Sequence, residues 1–171
     1  MKTIIGVVAA IAALVLAGCS NSKGSAPLPA PSAVVSTQPV AHRPASAAAL
    51  AARLRAAGLP VRHLIVYTAA SDPNHELGRQ GGYTSKVAWA DPRAARQDAG
   101  DQRGSIGLGG GVEAFPTAAG ARARYEYLRG FQPPFGDGYD YLSGAAILRL
   151  SQYLTPAQAH AYDAAFAAAA R

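Results

Sequence analysis

The chain has 171 residues, a formal net charge of +6 and one cysteine, Cys19. This length fits one ordinary domain with a tail, and a single cysteine excludes an intramolecular disulfide. The lysines and arginines are scattered singly instead of forming a basic block, which argues against nucleic-acid binding. We therefore expect one domain that is stabilised by its hydrophobic core.

The first 18 residues have the pattern of a signal peptide. Lys2 precedes an uninterrupted apolar run at residues 4–17, which is shorter than the roughly 20 residues that cross a membrane. The run ends in small residues directly before Cys19, which resembles the lipobox of bacterial lipoproteins. We expect residues 1–18 to be cleaved off and Cys19 to be acylated, so that its acyl chains insert into the membrane lipid. The exported chain would then be anchored on the outer face of the cytoplasmic membrane, or on the outer membrane of a Gram-negative host.

Residues 19–45 are predicted to be the lipidated cysteine followed by a linker. Residues 20–45 contain no acidic residue and no Phe, Tyr or Trp. Five prolines lie among the serines and alanines: Pro27, Pro29, Pro31, Pro39 and Pro44. Such a segment cannot bury a core. We predict that residues 46–171 form a single α+β domain that stands off the membrane.

The first half of that domain is predicted to contain one helix and three strands. Ser46 is a good N-cap, Gly58 suits a left-handed C-cap, and Pro60 prevents the helix from continuing. Apolar, β-branched or alternating residues then predict strands at residues 61–68, at 84–90 and within 105–115. The first of these strands is apolar enough to be buried.

The second half is predicted to hold two helices around one strand. Thr117 caps a helix that ends by Gly130, and residues 142–151 have the pattern of a strand. Thr155 and Gln158 supply a capping box for the last helix. The order α-β-β-β-α-β-α predicts a small, mainly antiparallel sheet of about four strands with helices on one face.

The loop at residues 72–86 contains the densest cluster of polar groups. Its candidate site residues are Asp72, Asn74, Glu76, Arg79, Tyr83 and Lys86. An EF-hand is excluded because Leu77 stands where the loop needs glycine. A zinc protease helix is excluded because Arg79 stands where the second histidine belongs. We predict no metal and no cofactor, with an irregular calcium site as the minor alternative.

Two interpretations of this loop remain open. In the structural interpretation, Arg79 is buried and paired with Asp72 or Glu76, because an unpaired buried guanidinium is costly. In the functional interpretation, Arg79 is exposed beside Lys86, and the two cations hold a small anionic ligand.

The chain has no Gly-x-Ser-x-Gly elbow and no catalytic cysteine. An envelope hydrolase or transferase would need two carboxylates in one cleft, and the loops offer four: Asp72, Glu76, Asp137 and Asp140. We rank this alternative below a non-enzymatic module that binds an envelope protein, a glycan or a small anionic ligand. The aromatic Gly/Pro loop at residues 131–141 is a further candidate for such a contact.

Several segments together resemble small uncharacterised lipoproteins of Gram-positive, especially high-GC, bacteria. The lipobox and the Pro/Ser linker are two of them. The others are Asp-Pro-Asn, Leu-Gly-Arg and Tyr-Thr-Ser-Lys within residues 72–86, and the closing segment at residues 148–158. The resemblance covers most of the predicted domain and implies no activity.

The lipobox leads to a direct prediction. Cys19→Ala should lose acyl label and accumulate as the uncleaved precursor, because the thiol is the sole lipid acceptor. Metabolic labelling with a fatty-acid analogue measures this, with Ser22→Ala in the linker as the matched control. Acylation that survives in Cys19→Ala would contradict the predicted anchor.

Overall fold

The computed structural model describes residues 44–95, 102–131 and 138–171. The strands are β1 (Arg62–Val66), β2 (Ser85–Ala90), β3 (Gly109–Ala114), β4 (Tyr139–Ser143) and β5 (Ala146–Leu150). The helices are α1 (Ala47–Ala56), the short α2 (Pro92–Ala95), α3 (Ala118–Arg129) and α4 (Pro156–Ala169), with a 3-10 turn at Ile106–Leu108. Within these segments, no helix has the length and apolar character that a membrane span requires.

The α+β class and the antiparallel sheet are confirmed, but the predicted number and order of strands are wrong. The described strands form one sheet in the order β1-β2-β3-β5-β4. Residues 142–151 turn back on themselves instead of continuing as one strand. Gly144 takes a positive φ of 54° at the first position of the two-residue turn that joins β4 to β5. Such turns suit glycine and match the twist of the strands that they connect.

Helices cover both faces of the sheet, so the predicted one-sided arrangement is also wrong. Successive side chains of a strand point to opposite faces. Leu148 packs in a core with α1 and α4, whereas the adjacent Ile147 packs in a second core with α3. The apolar stripe of α3 therefore covers the face of the sheet opposite to α1 and α4.

Strand β1 lies at an edge of the sheet instead of being buried. Its register with β2 shifts between Arg62 and Ile65, where His63 takes a positive φ of 50°. Val66 at its end is 59% exposed. A distorted edge strand is a poor template for further pairing.

The buried carboxylate of Asp91 joins α4 to the end of β2. Asp91 is completely buried and accepts a hydrogen bond of 3.0 Å from the Tyr162 hydroxyl. Arg93 donates to both oxygens of Asp91, and the ring of Trp89 stacks on that of Tyr162 at 6.0 Å. Burial, together with the Asp91 charge, raises the pKa of Tyr162, so its hydroxyl remains a donor.

The fold predicts where an independently folding chain can begin. Ser46 caps α1, and the backbone N–H of Ala47 donates to Ser85 Oγ at 2.8 Å, so the described contacts of α1 start there. A chain that starts at Ala45 should fold, whereas one that starts at Gly58 should not, because it lacks the buried Leu50 of α1. Circular dichroism and thermal melts compare the two. An unfolded spectrum for the longer chain would contradict this boundary.

Candidate functional site

The carboxylate of Asp72 lies at the centre of a buried polar network. Asp72 is 1% exposed. Its oxygens accept hydrogen bonds from Tyr83 Oη at 2.6 Å and Lys86 Nζ at 2.8 Å. The backbone N–H groups of Glu76 and Leu77 donate to Oδ2 at 2.9 and 3.1 Å. These bonds satisfy the buried charge and close the loop onto itself.

The ammonium group of Lys86 is the cation of this network. Lys86 starts from β2 and is 7% exposed. Its Nζ lies 5.1 Å from the centre of the Tyr67 ring and 5.4 Å from that of Tyr83. The amide oxygen of Asn74, oriented as the hydrogen-bond network requires, accepts from Nζ at 2.9 Å. Lys86 is therefore already neutralised and enclosed by its own loop.

Glu113 and Arg124 extend the network to β3 and α3. Glu113 is 2% exposed and lies directly opposite Lys86 in the sheet register. Arg124 Nε of α3 donates to Glu113 Oε2 at 3.1 Å, and another guanidinium nitrogen donates to the Asn74 amide oxygen at 3.3 Å. The two acids and the two bases balance one another. Neither Glu113 nor Arg124 was among the site residues predicted from the sequence. An acid between Val112 and Ala114, in an otherwise apolar strand, could have indicated a buried charge.

The protonation states follow from these contacts. Burial raises the pKa of Asp72, but hydrogen bonds from Lys86, Tyr83 and the backbone of Glu76 outweigh it and hold that pKa well below its usual range. Burial and the hydrogen bond to Asp72 raise the pKa of Tyr83 far above its ordinary value. Asp72 is thus a carboxylate and Tyr83 a neutral donor across the physiological pH range, so this pair has no proton to exchange.

Arg79 lies outside this network, and its side chain is exposed. Its backbone forms the turn: the Arg79 N–H donates to the Glu76 carbonyl, and the Arg79 carbonyl accepts from Gly82. A side chain at Gly82 would clash with the Glu76 carbonyl oxygen, so this turn requires glycine. The buried cation that the structural interpretation required is Lys86 instead of Arg79. The exposed pair of Arg79 and Lys86 that the anion interpretation required is not formed.

The predicted site residues are therefore partly brought together. Asp72, Asn74, Tyr83 and Lys86 share the network, whereas Glu76 contributes its backbone. Of the other acids, Asp140 binds Arg149 at 3.3 Å, and Asp137 lies outside the described residues. Asp72 and Asp140 thus belong to separate ion pairs. Across the described part of the chain, no group of three or more His, Cys, Asp or Glu side chains could hold a metal ion.

Two open clefts of about 310 and 380 Å³ lie between α3 and β4, and together we call them the α3–β4 groove. The first is lined by Tyr125, Arg129, Gly138, Tyr139, Asp140 and Tyr141. The second is lined by Ala118, Ala119, Arg122, Leu142 and Gly144. These volumes are at the lower end of the roughly 300–1,000 Å³ that is typical of ligand sites.

Charged and aromatic side chains of α3 face this groove. Arg122 and Arg129 are exposed, and the Arg129 guanidinium lies 5.8 Å from the centre of the Tyr125 ring. Opposite them on β4, burial and the charge of Asp163 raise the pKa of Tyr141, so its hydroxyl stays protonated. The helical spacing of these α3 residues was visible in the sequence. The position of these residues beside an edge strand could not be predicted, because β4 was not predicted as a separate strand.

The network predicts very different costs for two substitutions of basic residues. Lys86→Met leaves Asp72 buried without its cation and should lower the free energy of unfolding by about 3–5 kcal/mol. Arg79→Ala should change it by less than about 0.5 kcal/mol, because that side chain is exposed. Urea unfolding of both variants beside the wild type measures the difference. Equal losses in the two variants would contradict the assignment of Lys86 as the structural cation.

No family model matches this chain, and no curated protein or solved structure matches it either. The functional assignment therefore depends on the geometry of the buried network and of the α3–β4 groove.

Proposed function

We propose that this chain is a lipid-anchored protein of the cell envelope whose domain binds a ligand or partner in the α3–β4 groove. In this proposal the domain catalyses no reaction. One observation supports the proposal best: the groove is lined by the exposed Arg122 and Arg129 and by the half-buried Tyr125, all on a helix that is packed on the sheet. A preformed cleft with a few convergent polar and aromatic groups is the usual form of a binding site.

Export and anchoring are supported by the sequence. The signal-peptide pattern at residues 1–18, Cys19 and the proline-rich residues 20–45 occur in the order that a tethered envelope protein needs. The tether would hold the domain at the outer face of the cytoplasmic membrane. Partners in that compartment include envelope proteins, glycans and small anions.

The loop at residues 72–86 has a structural role in this proposal. Its carboxylate and ammonium groups bind each other, so no charge of this pair remains for a ligand. The enzyme alternative loses support for the same reason, since general acid and base catalysis needs two carboxylates that share a cleft and a proton. Asp72 and Asp140 each bind a different basic residue.

Binding in the groove is testable by NMR titration of the mature chain, residues 19–171, carrying Cys19→Ala. Suitable probes are soluble peptidoglycan fragments, inorganic phosphate and short capped peptides. A probe that binds should shift amide signals of α3 and β4, and Arg122→Glu should alter its dissociation constant severalfold. The matched control is Arg62→Glu, which makes the same charge change on β1 at the opposite edge of the sheet.

The result that would contradict the proposal is equally specific. A probe whose shifts lie only in residues 72–86 would place the site in the loop instead of the groove. If none of the probes causes a shift in α3 or β4, the groove loses its assigned role.

A further inference from the structure

Four polar side chains of the α3–β4 groove are available to a ligand. Within the described segments, they line the two clefts and form no hydrogen bond and no ion pair: Arg122, Tyr125, Arg129 and Tyr141. Asp140 is the acid among the lining residues, and it binds Arg149 at 3.3 Å. The groups left for a ligand are therefore two guanidinium groups and two hydroxyl groups. Such a set of donors favours a ligand that supplies acceptors and negative charge.

Three of these side chains line the first cleft. Tyr125 and Arg129 come from α3, and Tyr141 comes from β4. The Arg129 guanidinium lies 5.8 Å from the centre of the Tyr125 ring, and this cation–π contact holds the charge beside the cleft. The charge of Asp163 acts on Tyr141, but Asp163 lines neither cleft. One guanidinium and two hydroxyl groups suit a single oxyanion, which accepts hydrogen bonds from all three.

The second cleft offers a separate cation on the same side of α3. Arg122 lines it together with small or apolar residues: Ala118, Ala119, Leu142 and Gly144. Arg122 and Arg129 are seven residues apart, which is almost two helical turns and about 10 Å along the axis. Because the two arginines line different clefts, each is placed to bind its own anionic group.

We propose that the α3–β4 groove binds a linear ligand that carries two oxyanion groups, carboxylates or phosphates, about two helical turns apart. Arg129 and the two tyrosine hydroxyls hold one group, and Arg122 holds the other. This inference rests on the proposed function and names the chemical class of its ligand. Once one group is bound, the second binds at a high effective concentration. Residues 20–45 contain no acidic residue, so the linker of the chain itself is not this ligand.

The need for two anionic groups is tested with small dicarboxylates. The probes are decanedioate, whose carboxylates can reach both clefts, its monomethyl ester, which has one carboxylate, and butanedioate, which is too short. NMR titration of the mature chain with Cys19→Ala gives the dissociation constants. Decanedioate should bind about fivefold or more tightly than either of the other probes. It should shift amide signals at both ends of α3, whereas the ester should shift mainly one end.

Single substitutions assign each anionic group to its cleft. Arg122→Gln should abolish the advantage of decanedioate over its ester and leave the affinity for the ester within about twofold. Arg129→Gln should weaken the binding of both probes, and Tyr141→Phe should do so to a smaller extent, because each removes a donor from the first cleft. The matched control is Arg62→Gln, which removes one positive charge at the opposite edge of the sheet and should change neither affinity by more than about twofold.

The bisphosphate of octanediol compares phosphate with carboxylate at a similar length. Tighter binding of the bisphosphate would identify phosphate as the preferred oxyanion, and tighter binding of decanedioate would identify carboxylate. Either result supports the proposal, provided that Arg122→Gln weakens the preferred probe.

The possible failures are distinguishable. Equal binding of decanedioate and its ester, an advantage that survives in Arg122→Gln, or an equal loss in Arg62→Gln would overturn the two-group site. If another probe shifts the α3 and β4 signals while neither dianion binds, the proposed function stands and this inference is wrong. If neither the dianions nor any other probe affects α3 and β4, both are wrong.

Discussion

The ion pair between Asp72 and Lys86 holds the loop onto the sheet, and much of the remaining structure depends on it. A buried pair is tolerable only when every charge has enough partners to offset the loss of water. Here the partners come from the loop backbone, from Tyr83 and from the Asn74 amide. Arg124 then binds both Glu113 and Asn74 and thereby connects α3 to the same network. These bonds add to the apolar packing of Ala121 and Leu128, so both hold α3, and with it one wall of the groove, against the sheet.

The domain thus uses its basic residues in two ways. Lys86 and Arg124 are bound to acids within the fold and hold elements together. Arg122 lies two residues before Arg124 on α3 and faces the groove instead. A separation of two residues moves a side chain by more than half a turn around a helix, so neighbouring arginines can serve packing and binding independently. Residue type alone does not reveal which arginine is available to a ligand.

Local signals in the sequence predicted the helices well and the strand pairing poorly. The caps at Ser46 and Thr155 depend on residues within one turn, and both are present. The hairpin within residues 142–151 was missed because apolar residues on both sides of the turn read as one continuous strand. Glu113 was missed for a different reason. Its partners Lys86 and Arg124 are distant in sequence, and only the sheet register places Lys86 opposite it.

The contact between α1 and α4 has a consequence for the order in which the chain can fold. These helices are the first and last of the described fold, and they pack together in the same core as Trp89. Arg53 of α1 also donates a hydrogen bond to the Ala169 carbonyl near the end of α4. A ribosome makes α4 after every other described element, so α1 and its face of the sheet lack this partner until α4 has been made. Contacts between residues so far apart in sequence slow folding. Under the proposed export, slow folding would help the chain to stay unfolded until it has crossed the membrane.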